Sequence, residues 1–146
     1  MALRIGVLDD RAEGLPVRLV LALALLLLLM YLANRGWRAW RQKVQRRRIL
    51  RWVEEVEARF DPVAAPQAFL SAMNRIFKLV ALKAFPEESC ARLQGEDWAV
   101  FLQREMADAP DNEQLAILAA GPYQELPRFD PETLSRLARH WILTHG

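Results

Sequence analysis

The sequence predicts an all-α protein: a single N-terminal transmembrane helix continuing into a basic juxtamembrane helix, followed by a small cytoplasmic helical bundle. Three observations predict it. Residues 19–33, LVLALALLLLLMYLA, carry no charge. Residues 34–51 then carry eight basic residues and no acidic one. Beyond them apolar residues recur at spacings of three and four, and no run alternates apolar with polar as a half-buried strand does.

The elements in order are a short extracytoplasmic tail at 1–14, a transmembrane helix at 15–37, a basic juxtamembrane helix at 38–61 and a cytoplasmic bundle at 62–146. Charge divides the chain the same way. Residues 1–18 hold three arginines against three acids, while residues 52–146 hold nine basic and fifteen acidic residues. The net charge of +2 therefore conceals a basic collar and an acidic domain.

The uncharged run alone makes a helix of roughly 22 Å, short of a bilayer core of about 30 Å. Extended from Leu15 to Trp37 it reaches about 34 Å, with Arg18 able to snorkel from its outer end. Nine leucines in the run, at roughly −0.5 kcal/mol each, favour insertion by about 4 to 5 kcal/mol. A peripheral arginine costs much less than a central one. Two other readings compete. A cleaved signal peptide has an apolar region of this length, but Tyr31-Leu32-Ala33 is not a small-x-small cleavage site and a dense positive block follows. A core helix would need cover all the way round, which a 146-residue chain can scarcely supply.

The collar sets the orientation. Arg35, Arg38, Arg41, Lys43, Arg46, Arg47 and Arg48 belong in the cytoplasm by the positive-inside rule, with the neutral N-terminus outside. Trp37 and Trp40 suit the aromatic belt at the interface. Membrane lipid is the expected partner of this collar. No recognition motif accompanies the charge, so nucleic acid is not expected. The protein is placed in a bacterial inner membrane, crossing it once.

The juxtamembrane helix shows apolar Ile49, Trp52, Val53, Val56 and Phe60 on one face and stops at Asp61-Pro62. A second helix starts at Pro66 or Gln67. Its stripe is Phe69, Leu70, Met73, Ile76, Phe77, Val80 and Ala84, with Asn74, Arg75, Lys78 and Lys83 facing away. Leu79 and Leu82 widen that stripe, which predicts burial on more than one side. Phe85-Pro86 stops the helix, and a short turn is expected over Glu87 to Arg92. Gly95 breaks the chain before a helix with Glu96 and Asp97 at its electropositive start and Trp98, Phe101 and Leu102 inside. Ala107 to Asn112 reads as a loop and Gln114 to Ala119 as a short helix ended by Gly121-Pro122. Asp130 as N-cap and Pro131 at the first position open a last helix, with Leu134, Leu137, Ala138, Trp141 and Ile142 inside.

No Gly-rich phosphate loop, nucleophile elbow, HExxH or Cys-x-x-Cys occurs in the sequence. Cys90 is the only cysteine and reads as structural. His140 and His145 are five apart, a poor spacing for helical ligands, and His145 is expected in a frayed, exposed end. Glu87-Glu88 and Glu96-Asp97 are adjacent pairs that point apart on a helix. Trp98 and Trp141 read as core aromatics. The expectation is no catalytic residue, no metal, no cofactor and no small-molecule substrate, hence no enzyme.

The later segments together resemble the bacterial membrane proteins grouped as domain of unknown function 4381. The resemblance rests on the apolar helix with its Arg-rich continuation, on Leu93-Gln94-Gly95-Glu96-Asp97-Trp98 leading to Phe101-Leu102, on Gly121-Pro122-Tyr123, and on Arg139-His140-Trp141-Ile142. It covers roughly residues 15–146. Family members usually carry a Pro- and Trp-rich stretch before the membrane helix, where this chain has only Leu15-Pro16. The resemblance implies a non-enzymatic scaffold or adaptor in an assembly with a MoxR-type AAA+ ATPase and a membrane-anchored von Willebrand factor A protein, serving protein maturation, chaperoning or stress tolerance. It also makes Gly121, Pro122 and Tyr123 candidates for partner binding; the alternative there is a turn with Tyr123 packed on the bundle. The competing function is a membrane-tethered interaction module of another envelope or secretion system.

Overall fold

The computed structural model describes residues 14–146, so residues 1–13 of the expected tail lie outside the described part. Five α-helices and three 3-10 turns make up the described residues, and no strand occurs among them. The helices are α1 (Gly14–Arg59), α2 (Pro66–Ala84), α3 (Gly95–Glu105), α4 (Ala116–Ala120) and α5 (Pro131–His145). The 3-10 turns are Cys90–Arg92, Asn112–Leu115 and Gly121–Tyr123. The fold is all-α, as the spacing predicts.

Two compact units divide the chain, one up to Arg41 and one from Gln42 to Gly146. In the first, α1 buries nothing: large apolar side chains from Val17 to Leu32 are 51% to 65% exposed. No part of the unit covers them, which excludes the core-helix alternative.

The second unit begins inside α1, upstream of the boundary expected at 62. Val53 is fully buried, and Ile49, Leu50, Trp52, Val56 and Phe60 pack against the core. Glu57 meets Arg139 of α5 at 2.8 Å, and Gln45 accepts from Lys83 of α2 at 2.7 Å. The lower part of α1 is thus a wall of the bundle. Its large side chains reach the core, so the chain needs no separate domain start at Pro62.

Around that wall α2 contributes Phe69, Leu70, Met73, Phe77 and Val80, α3 Trp98 and Leu102, and α5 Leu134, Leu137, Trp141 and Ile142, all buried. Leu115 and Leu118 close the core from the segment leading into α4 and from α4 itself. Each fully buried side chain of this size contributes about 1.5–3 kcal/mol. Trp141 donates from Nε1 to the Phe77 carbonyl at 3.2 Å, so its polar end is satisfied inside the core. Phe85 and Phe77 both stack on the Trp141 ring.

Two helix starts follow their sequence signals. Pro131 opens α5, and the Asp130 carboxylate accepts from Thr133 Oγ1 at 2.6 Å and from the Glu132 amide at 3.2 Å. The Thr133 hydroxyl, chiefly, holds that carboxyl below the usual range. Ahead of α2, Asp61 accepts from the Val63 and Ala64 amides at 2.8 and 3.3 Å, turning the chain before Pro66.

Three expectations are corrected. Leu79 and Leu82 remain 50% and 44% exposed, because the core lies on the opposite side of α2 and no element of this unit covers them. Asn74 and Lys78, expected to face away, are half-buried and bonded to the chain around α3. His145 is not frayed: α5 includes it, and its ring lies 4.3 Å from Trp141 and 5.1 Å from Phe85. Tilted ring contacts hold the last turn in place, and burial pushes the imidazole pKa down.

Candidate membrane and partner-binding surfaces

Among the described residues one helix is long and apolar enough to cross a membrane, and none of its apolar window is buried. That is compatible with a single-pass membrane protein, and also with a signal sequence. At its polar end the Trp37 and Trp40 rings lie 5.6 Å apart, and the Arg41 guanidinium sits 5.3 Å from the Trp37 ring centre. Arg35, Arg38 and Arg41 belong to this unit and are exposed.

Lys43, Arg46, Arg47 and Arg48 belong to the bundle unit. Lys43, Arg47 and Arg48 are exposed, while Arg46 donates from Nε to the Gly146 carbonyl at 2.9 Å. None of these collar cations pairs with a carboxylate among the described residues. The exposed ones, Lys43, Arg47 and Arg48, each gain about 1 kcal/mol near an anionic lipid surface.

In the bundle unit three open clefts of about 400, 390 and 330 Å³ differ too little in size for volume to select one. Their residues do differ. The 390 Å³ cleft is lined by Leu93, Gln94, Gly95 and Trp98, by Tyr123, and by Asn74, Lys78 and Ala119. Two of the segments that carry the family resemblance therefore meet at one place, although 28 residues separate Gly95 from Tyr123 (123 − 95).

Packing explains most of those residues. Gly95 has φ +55°, a left-handed turn that glycine adopts without strain. Trp98 is buried and donates from Nε1 to Asn74 Oδ1 at 2.8 Å. The Lys78 ammonium donates to the carbonyls of Leu93 and Cys90 and lies 4.5 Å from the Trp98 ring centre. Burial there holds the lysine pKa below its ordinary value. Gly121 is fixed by close approach: a Cβ at this position would come within 2.5 Å of Leu70 Cδ1.

Tyr123 is different. It is 89% exposed, so the packed-turn alternative fails. Pro122 beside it is half-buried and Gly121 buried, so the three candidate residues form a rigid base with one projecting aromatic. The roles of Asn74 and Lys78 had no sequence signal, since helical periodicity places both off the apolar stripe.

The segment Arg139 to Ile142 is structural: Arg139 bonds Glu57, and Trp141 and Ile142 are core. His140 is exposed. Cys90 is fully buried, with Sγ 3.8 Å from the Phe85 carbonyl, and burial pushes its thiol pKa up, away from the nucleophilic thiolate. No group of three or more metal-ligating side chains gathers among the described residues. Glu88 is bound to Arg104 at 2.9 Å, which gives that carboxylate a surface ion-pair role.

A family model described as Domain of unknown function (DUF4381) matches residues 14–144. No curated protein and no solved structure matches the chain.

Proposed function

We propose that this chain, which belongs to the Domain of unknown function (DUF4381) family, is a non-enzymatic, membrane-anchored adaptor. Its N-terminus lies outside, its bundle in the cytoplasm, and it joins a MoxR-type AAA+ ATPase to a membrane-anchored von Willebrand factor A protein. The observation that carries the adaptor role is Tyr123. It stands in a segment that marks the family, two residues from a glycine at which a Cβ would crowd Leu70 and Ile117, yet its own side chain is 89% exposed. A large aromatic held rigidly in solvent fits recognition of another protein, where tyrosine anchors are common. The anchor role is supported by a helix apolar on every side and followed by a block of mostly exposed cations.

The partner identities come from the family resemblance, so they are the part to test first. Full-length chain extracted in mild detergent should bring down both partner types. Recovery of neither defeats the adaptor reading. Exchange of the membrane helix for an unrelated one separates intramembrane partner contact, which the exchange abolishes, from simple tethering, which it spares. A periplasm-only reporter active at the C-terminus would reverse the topology.

A further inference from the structure

We propose that the outward face of α2, carried by Arg75, Leu79, Leu82 and Lys83, docks on the anionic phospholipid surface of the membrane that anchors the chain. This rests on the membrane-anchor reading and extends lipid contact from the collar to the bundle.

At about 100° per residue, these four side chains fall within one arc of about 100° on α2. All four are exposed. The other side of α2 carries Met73, Phe77 and Val80 into the core. Leu79 and Leu82 are neighbours three residues apart, so the fold leaves a pair of leucines in water with a cation at each end of the stripe. Arg75 and Lys83 make no ion pair among the described residues. Lys83 donates instead to Gln45 Oε1 at 2.7 Å. That bond puts one end of the stripe beside the collar, where Arg48 stands one turn from Gln45.

Charge and tether choose the occupant. Neither α2 nor the segment 34–51 contains an acid, although residues 52–146 hold fifteen. Lys83 and Arg48, brought together on bonded helices, repel each other with no carboxylate paired to either. An external polyanion relieves that conflict. Carboxylates border the face. Along α1 the first is Glu54, nine residues past Gln45 and about 14 Å away. Glu87 and Glu88 follow the Phe85-Pro86 break, and Glu88 is held by Arg104. On the other flank Lys78 turns in to the chain at 90–93, beyond which Glu96 and Asp97 are exposed at the start of α3. These margins stay in water when the face docks.

Leucines flanked by cations suit the headgroup boundary, where the apolar side chains enter the acyl edge and the cations meet lipid phosphate. Nucleic acid would engage the cations and leave the leucines in water. The bundle unit starts at Gln42, five residues after Trp37. Even fully extended, at about 3.6 Å per residue, that stretch keeps Gln42 within about 18 Å of the interface. A weak surface contact is enough for a chain tethered this close.

The test puts a nitrobenzoxadiazole probe on Leu82→Cys in the full-length chain, one chain per nanodisc, with nitroxide-labelled lipid as quencher. Cys90 is buried, so the added cysteine takes the label. The control carries the probe on Val100→Cys, exposed on α3. In nanodiscs of phosphatidylcholine with phosphatidylglycerol, quenching at 82 should exceed that at 100 several-fold. It should fall to the level of 100 in phosphatidylcholine alone. Arg75→Glu/Lys83→Glu should lower the docking equilibrium at least about tenfold. Quenching at 82 no higher than at 100, equal in both lipids, or unchanged in the double variant overturns the proposal. So does shielding of position 82 only when two chains share a nanodisc, since a second copy then covers the face. Failure here is separable from failure of the anchor reading. A chain that resists carbonate yet shows no quenching at 82 loses the docking face and keeps the anchor. A chain that carbonate extracts, yet is quenched at 82 on phosphatidylglycerol vesicles, keeps the docking face and loses the anchor.

Discussion

The Lys78 ammonium lies 4.5 Å from the centre of the Trp98 ring while it donates to the Leu93 carbonyl. One cation thereby ties α2 to the chain that leads into α3 and lies over Trp98, one of the side chains by which α3 joins the core. Lys78→Met keeps most of the stem but leaves that carbonyl without its donor. We expect a loss of about 1–3 kcal/mol, as for an unsatisfied half-buried acceptor. Urea unfolding of the full chain in detergent reads it, and Trp98 emission should shift because the overlying charge is gone. An unchanged midpoint would mean that the carbonyl is already well hydrated.

Gly121 and Tyr123 stand two residues apart and should behave oppositely. Gly121→Ala places a methyl against Leu70 and Ile117 inside the core and should cost about 1–3 kcal/mol through overpacking. Tyr123→Ala touches an exposed ring and should change stability by no more than about 0.5 kcal/mol. Partner recovery should nonetheless fall in Tyr123→Ala. Thermal unfolding and copurification on the same samples separate the two effects.

His145 should make stability pH-dependent. Burial chiefly lowers its folded pKa, against an opposing raise from Glu105, while nearby His140 lowers it further. The unfolded chain then binds the proton more readily than the folded one. This contribution is neutral above the ordinary value of 6.5 and destabilises as pH falls through 6.5 toward the lowered folded value. Protonation in the fold would charge a ring that packs at a tilt against Phe85 and Trp141, and the His145 Nε2 is buried without a partner among the described residues. Full chain with His145→Phe should therefore lose less stability than wild type between pH 7.5 and 5.5. Equal losses would show that His145 titrates alike in both states.

Collar charge should govern insertion. Replacing Arg46, Arg47 and Arg48 by glutamate removes three of the eight cations and adds three anions. Reporter fusions at the C-terminus should then show a mixed or inverted orientation, while the uncharged run keeps the chain resistant to carbonate. Loss of the membrane fraction altogether would point to surface attachment through the cations.

Cys90 should stay unreactive. Its burial and raised pKa predict negligible maleimide labelling of the folded full chain and stoichiometric labelling in denaturant. Rapid native labelling would show that the turn at Cys90–Arg92 opens readily.

By itself the sequence determined the charge-free run, the cationic block behind it, the helical class and most helix limits. These depend on neighbours along the chain: periodicity selects the apolar stripe, and Asp130-Pro131 or Phe85-Pro86 fixes an end through local backbone chemistry. Only the tertiary structure decided that α1 walls the bundle through Val53, that Leu79 stays outside, that Lys78 and His145 turn inward, and that Tyr123 projects beside the bond from Gln67 to the Gln124 carbonyl. A stripe on a helix shows that a partner surface exists and leaves open which element supplies it. That choice is made by shape and volume among residues tens of positions apart, and no local pattern encodes it.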